Sequence, residues 1–143
     1  AQVLDLIRQL RDQLGTSMLL ITHDLGVVAQ NCEYVAIMYA GEIIEYGKIH
    51  DVFKNSLHPY TVGLFESIPK LNEEVDRLHP IDGLMPDPAN LPKGCKFHPR
   101  CRYAEAICRE EEPEMVEIEE GHTVCCHRYT GKCGLAEGDK ANG

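Results

Sequence analysis

The chain has 143 residues, 26% of them charged and 43% apolar, with a formal net charge of −9. That length allows one domain or two small modules, and the negative balance argues against a general electrostatic hold on nucleic acid or anionic lipid. No apolar run approaches the roughly 18 residues of a membrane span, and the first residues lack the pattern of a signal peptide. Without an export signal a reducing compartment is the default, where clustered cysteines favour metal over disulfide. The sequence opens at Ala1, in mid-pattern and without Met, so an excerpt of a longer protein is expected.

Val3, Ile7, Leu10 and Leu14 recur at helical spacing, with Leu4 and Leu6 widening the stripe, which predicts a helix over Ala1–Leu14. Gly15 follows at the position that ends helices. Thr16–Thr22 is a nearly continuous apolar run and predicts a buried, parallel strand. His23 and Asp24 stand at its end, and Leu25, Val28, Ala29 and Cys32 give the buried face of a second helix. Helix, buried strand and helix form a fragment of an α/β layer. One parallel strand makes no sheet alone, so its neighbours are expected before Ala1 or in another chain.

Tyr34–Ala40 and Ile43–Tyr46 predict two strands of a hairpin turning at Gly41-Glu42. A short helix is expected over Lys48–Lys54, with Ile49, Val52 and Phe53 inward. Pro59 suits the first turn of a further helix, whose apolar face is Tyr60, Leu64, Phe65 and Ile68, and Pro69 ends it. Beyond it, Leu71–Arg77 is expected as a short polar helix and His79–Lys93, with four prolines, as loop.

Five of the seven cysteines then fall within 32 residues: Cys95, Cys101, Cys108, Cys125 and Cys126. Four thiolates can enclose a metal centre, but these gaps are longer than the C-x2-C of zinc ribbons and unlike the bacterial ferredoxin run. Spacing alone leaves zinc, an iron–sulfur cluster and disulfides open. A cubane has separated corners and tolerates wider loops, which is a weak preference for iron–sulfur. Lys96, Arg100, Arg102 and Arg109 flank the thiols and would lower their pKa or serve solubility alone. His98 and His127 are alternative ligands, His98 being read first as part of a tight His-Pro turn. Arg109–Glu120 is strongly acidic without a calcium-loop pattern, so a solvated face is expected, fixed by Met115, Val116 and Ile118. Residues 131–143, including Cys133, read as a polar, disordered tail.

L-L-I-T-H-D-L-G-V-V-A from Leu19, V-A-I-M-Y-A-G-E-I-I-E-Y-G from Val35, V-F at Val52 and H-P-Y-T at His58 resemble the C-terminal part of an ABC transporter ATP-binding subunit. More narrowly, G-L-M-P-D-P-A-N-L-P-K-G-C-K-F-H-P-R-C from Gly83 resembles the C-terminal extension of oligopeptide and dipeptide importer subunits. The resemblance runs to about Tyr129. It implies an α/β fold: the C-terminal fragment of an ABC ATPase (P-loop NTPase) domain with a small irregular cysteine-rich C-terminal lobe. Expected units are residues 1–68, the end of the nucleotide-binding domain, 69–130, the extension, and 131–143, the tail.

T-H-D matches the family's switch histidine, which makes His23 the expected catalytic and cofactor-binding residue. It would contact the ATP γ-phosphate, a role in which an imidazole N–H stabilises spreading charge. Asp24 would orient the loop. No G-x-x-x-x-G-K-[ST] phosphate loop, L-S-G-G-Q signature or strand ending in Asp-Glu is present. These precede Ala1–Leu14 in the family, so the intact protein would use ATP and Mg²⁺ as an ATPase, whereas this chain alone is expected neither to bind ATP tightly nor to hydrolyse it. The resemblance also implies a [4Fe–4S] cluster on Cys95, Cys101, Cys108 and Cys126, zinc being the alternative. Cys126 takes the fourth place because the family ends in V-x-C-H, with Cys125 its main rival.

The leading reading is therefore part of a peripheral subunit on the cytoplasmic face of the cell membrane. It would pair with transmembrane permease subunits and a second, homologous or identical ATP-binding subunit. It would be served indirectly by an extracytoplasmic peptide-binding protein, and no nucleic acid is involved. A stand-alone iron–sulfur or zinc module for structure or electron transfer is the alternative. It explains the cysteines but not the T-H-D strand end. A secreted disulfide module is disfavoured by the odd cysteine count.

Overall fold

A computed structural model describes residues 2–67, 81 and 83–130. The expected Leu71–Arg77 helix, Ile68 and Pro69 of the helix begun at Pro59, and the tail with Cys133 lie outside the described residues.

Helix α1 covers Gln2–Leu14 and stops where Gly15 takes a φ of 64°, its N–H bonding the Arg11 carbonyl at 2.9 Å. The apolar stripe is only partly covered among the described residues: Leu4 and Ile7 are half-buried, whereas Val3 is 70% exposed and Leu14 68%. Polar contacts also hold the helix. Arg8 Nε donates to Asn31 Oδ1 at 2.7 Å, and Arg11 donates to the Asn31 carbonyl at 3.2 Å. Asn31 ends α2, Leu25–Asn31, so two guanidinium groups meet the carbonyl end of that helix, where positive charge is favoured.

The predicted buried strand at Thr16–Thr22 is corrected. This segment is irregular, and Leu19 and Ile21 are each 88% exposed. A strand exists only where a neighbour completes its hydrogen-bond ladder, and no described strand pairs with it.

The hairpin forms as expected, with its turn one residue earlier. β1 is Tyr34–Tyr39 and β2 Glu42–Lys48, joined through Ala40 and Gly41 at φ 49° and 80°. Two positive φ values match the right-handed twist of the flanking strands. Val35, Ile37 and Tyr39 face inward by strict alternation. The chain continues into α3, Ile49–Lys54, which buries Val52 completely, and α4, Pro59–Glu66. His58 caps α4: its Nδ1 accepts the Tyr60 N–H at 3.0 Å, while Pro59 fills the first turn.

The second half completes this layer. Phe97 is buried against Val28, Val35, Ile37, Tyr39, Ile44 and Val52, edge-on to Tyr39 with ring centroids 5.3 Å apart. After the short helix α5, Ala106–Glu110, come β3, Met115–Glu119, and β4, His122–Cys125. β4 pairs with β2 through Glu45–Val124 and Tyr46–Thr123, and β3 pairs with β4. The sheet order is β1-β2-β4-β3, antiparallel at every pairing, extending the expected hairpin by two strands. It spans residues on both sides of the expected boundary at 68.

The acidic segment is therefore partly a sheet edge. Val116 packs beside Val124 in a small second core with Leu57 and Cys126. Met115 and Ile118 do not anchor it, being 47% and 39% exposed. Met115 alternates to the opposite face from Val116, and Ile118 falls in the register shift between Glu117 and Glu119.

One buried carboxylate joins these parts. Glu45 Oε1 accepts the His58 N–H at 2.8 Å, both its oxygens lie 3.1 Å from the Leu57 nitrogen, and Oε2 meets His122 Nε2 at 2.6 Å. Both side chains of the Glu45–His122 pair are fully buried. Removing one partner strands the others without water. Glu45→Ala is expected to cost about 3–5 kcal/mol, and Glu45→Gln less, because an amide oxygen still accepts from the backbone. Urea unfolding midpoints measure both.

The His58 ring is buried, and loss of hydration lowers its pKa from 6.5 to about 3. Below pH 6.5 the unfolded chain takes up a proton that the folded chain refuses, so this contribution to stability is lost as pH falls from 6.5 toward 3. The expected slope is about 1.4 kcal/mol per pH unit. His58→Asn keeps a cap but removes the titration, so the difference between variant and parent unfolding curves should narrow across that range.

Candidate functional site

His23 stands on the exposed bend between the irregular segment and α2. The Asp24 N–H bonds Thr22 Oγ1 at 3.1 Å, and Asp24 Oδ1 accepts the Val27 N–H at 3.2 Å as the cap of α2. Asp24 thus sets the angle at which the chain leaves His23. His23 borders an open hollow of about 800 Å³, lined further by Leu20, Val28, Tyr34 and Tyr46.

The cysteine segment begins at Gly94, where φ is 75°. A Cβ there would lie 2.5 Å from the Cys108 carbonyl oxygen and 2.9 Å from the Arg109 carbonyl carbon, both backbone atoms. Glycine is therefore required by close chain approach as well as by its dihedral. That approach lets the Cys95 N–H bond the Cys108 carbonyl at 2.8 Å, clamping two cysteines 13 residues apart in sequence. The turn His98–Arg100 then carries the chain to Cys101.

Cys95, Cys101, Cys108 and Cys126 are brought within electrostatic reach of one another. Cys95 senses Cys108 and Cys101, Cys101 senses Cys108, and Cys126 senses Cys95 and Cys101. Cys125 points elsewhere: its Sγ donates to the Pro113 carbonyl at 2.9 Å and senses Glu42 and Glu112. Adjacent strand residues face opposite ways, which separates the two neighbours. No described cysteine is disulfide-bonded.

Burial pushes the Cys95 thiol up to about 11 and Cys126 up to about 12, and raises Cys101. Backbone donors oppose this. The Phe97 and His98 N–H groups face the Cys95 sulfur, Tyr103 N–H faces Cys101, and Arg128 N–H faces Cys126. Three of the four thiols thus have an N–H donor two residues downstream, an arrangement that favours thiolate over thiol. The guanidinium groups of Arg128 and Arg102 act in the same direction on Cys101.

His98 and His127 each commit one ring nitrogen to a backbone carbonyl and leave the other without a hydrogen bond among the described residues. His98 Nδ1 bonds the Cys95 carbonyl at 2.8 Å, and His127 Nε2 the Glu111 carbonyl at 2.7 Å. Arg100 leaves the thiols to reach the Tyr39 hydroxyl at 3.4 Å and the Ile81 carbonyl at 3.2 Å. Lys96 pairs with Glu112 at 2.9 Å. Among the described residues no three His, Cys, Asp or Glu side chains converge closely enough to share one metal ion. The thiols therefore lie near one another without gathering on a single point. The sequence reading had missed Glu45, His58 and His122 as a buried polar centre. The H-P-Y-T string was the available signal, because a histidine before a helix-starting proline is placed to cap.

No described helix is long and apolar enough to cross a membrane. Residues 44–108 match the family described as oligopeptide/dipeptide transporter, C-terminal region. The oligopeptide transport ATP-binding protein AppD of Bacillus subtilis is 46% identical over 90% of this chain and 39% of its own length. The dipeptide transport ATP-binding protein DppD of Caldanaerobacter subterraneus subsp. tengcongensis is 40% identical over 90% of the chain and 40% of its own length. A putative peptide import ATP-binding protein of Brucella ovis is 42% identical over the same shares. The chain spans about two fifths of these relatives. By this similarity the chain corresponds to the C-terminal region of oligopeptide/dipeptide transport ATP-binding proteins.

Proposed function

We propose that this chain is part of the ATP-binding subunit of an ABC importer for oligopeptides or dipeptides, working at the cytoplasmic face of the membrane. The observation that carries this reading is 46% identity to an oligopeptide transport ATP-binding protein across 90% of the chain. ATP and Mg²⁺ would be held mainly by residues outside this sequence, which lacks a phosphate loop. His23 is the residue this chain contributes. Its exposure leaves the ring open to a nucleotide phosphate, and the Asp24 cap beside it restrains the bend. A second ATP-binding subunit would complete the site. Permease subunits would take up the motion, and an external peptide-binding protein would choose the cargo.

His23→Ala, made in the longer protein that carries this chain, is expected to lower ATP hydrolysis about 10²–10³-fold, the range for a lost preorganised donor, with nucleotide binding retained. Phosphate release and filter binding measure the two. Undiminished turnover overturns the role of His23.

The cysteine lobe is proposed to hold a [4Fe–4S] cluster on Cys95, Cys101, Cys108 and Cys126. Support comes from the donor set: four neighbouring thiols, three faced by backbone N–H groups, with Cys125 turned away. A lone zinc ion requires every sulfur about 2.3 Å from one point, and the described side chains do not converge that far. A cubane has separated corners and suits the looser set. When bound, such a cluster supplies a cross-link and a one-electron couple.

Protein purified without oxygen should be brown and contain iron and acid-labile sulfide in equal amounts. Cys101→Ser should lose both, while Cys125→Ser should keep them. Colourless protein carrying zinc overturns the cluster.

A further inference from the structure

Three buried histidines keep one ring nitrogen without a partner: His58 Nε2, His122 Nδ1 and His127 Nδ1. The character of the His58 nitrogen is settled by the other side of its ring. Nδ1 accepts the Tyr60 N–H at 3.0 Å, so it carries the lone pair and the ring proton resides on Nε2. His58 is 1% exposed. Its Nε2–H is thus a buried donor lacking an acceptor, a state that native interiors avoid.

His58 and Cys95 border the same cavity of about 10 Å³, together with Tyr39, Glu42, Phe97 and Cys125. That volume admits about one water. The other polar groups in the wall are committed or exposed. Cys125 donates to the Pro113 carbonyl, Lys96 is a donor paired with Glu112, the Tyr39 hydroxyl accepts from Arg100, and Glu42 is exposed. The Cys95 sulfur is a half-buried acceptor in the same wall. It already faces the N–H groups of Phe97 and His98, and Phe97 packs on the His58 ring at 5.6 Å between centroids.

We infer that His58 is a positioning residue for the cysteine site, its Nε2–H donating to the Cys95 sulfur through the single water the cavity admits. This rests on the cluster reading above. Hydrogen bonds to ligand sulfur stabilise the more negative, reduced state and raise the reduction potential. The imidazole would therefore link the cap of α4 to the electronic state of the lobe.

The test compares two variants of the protein purified without oxygen. His58→Asn keeps an oxygen able to cap α4 but is too short to place a donor in the cavity. His58→Gln carries its amide N–H to a similar depth as Nε2. Reduction potential is read by redox titration of the visible spectrum, with iron and sulfide content in parallel. The Asn variant should shift to lower potential or lose its cluster, and the Gln variant should stay near the parent. Equal behaviour of the two variants, in potential or in cluster loss, overturns the role of His58. A parent protein without iron and sulfide overturns the cluster reading instead.

Discussion

The fold depends on a single carboxylate held away from water. Glu45 lies mid-strand in β2, next to the register shift at which Ile44 and Glu45 are both buried, and it is completely shielded from water. A charge placed there is tolerable only when hydrogen bonds replace its hydration. The Leu57 and His58 N–H groups and His122 Nε2 provide that replacement. Each donor comes from a different part of the chain: the link between α3 and α4, the cap of α4, and the first residue of β4. One acceptor therefore positions two segments that apolar contact alone would let slide.

The same economy organises the cysteine lobe. Phe97 seats the loop in the main core, and Gly94 lets that loop pass close beneath the α5 backbone. Cys95 and Cys108 are held near each other by these two contacts and by their backbone bond. Tyr39, Tyr60 and Phe97 pack ring against ring beside this loop. In this chain β3 and β4 join the same sheet as the hairpin.

Much of the local structure was legible in the residues. The stripe of Ile7, Leu10 and Leu14 gave α1, the alternation of Val35, Ile37 and Tyr39 gave β1, and Pro59 with its preceding histidine gave the start of α4. Cys126 against Cys125 was open from spacing, because adjacent residues are equivalent until a strand direction is known. β4 turns Cys125 to the Pro113 carbonyl and Cys126 into the core beside Val124. The acidic run concealed a strand, since glutamates dominate its composition and only Val116 reports its inner face. Thr16–Thr22 misled in the opposite sense: its composition suits a buried strand, yet strand formation requires a partner that no described segment provides.

By itself the sequence determined the short-range features: helix periods, the hairpin, the caps and turns. These depend on residues within a few positions of one another, where propensity and dihedral preference act. The tertiary structure alone decided that β4 pairs with β2, that Glu45 is the shared acceptor, and that His58 and Cys95 share one cavity. Glu45 and His122 are 77 residues apart. No local preference encodes such a meeting, which arises only when the chain must satisfy every buried polar group at once.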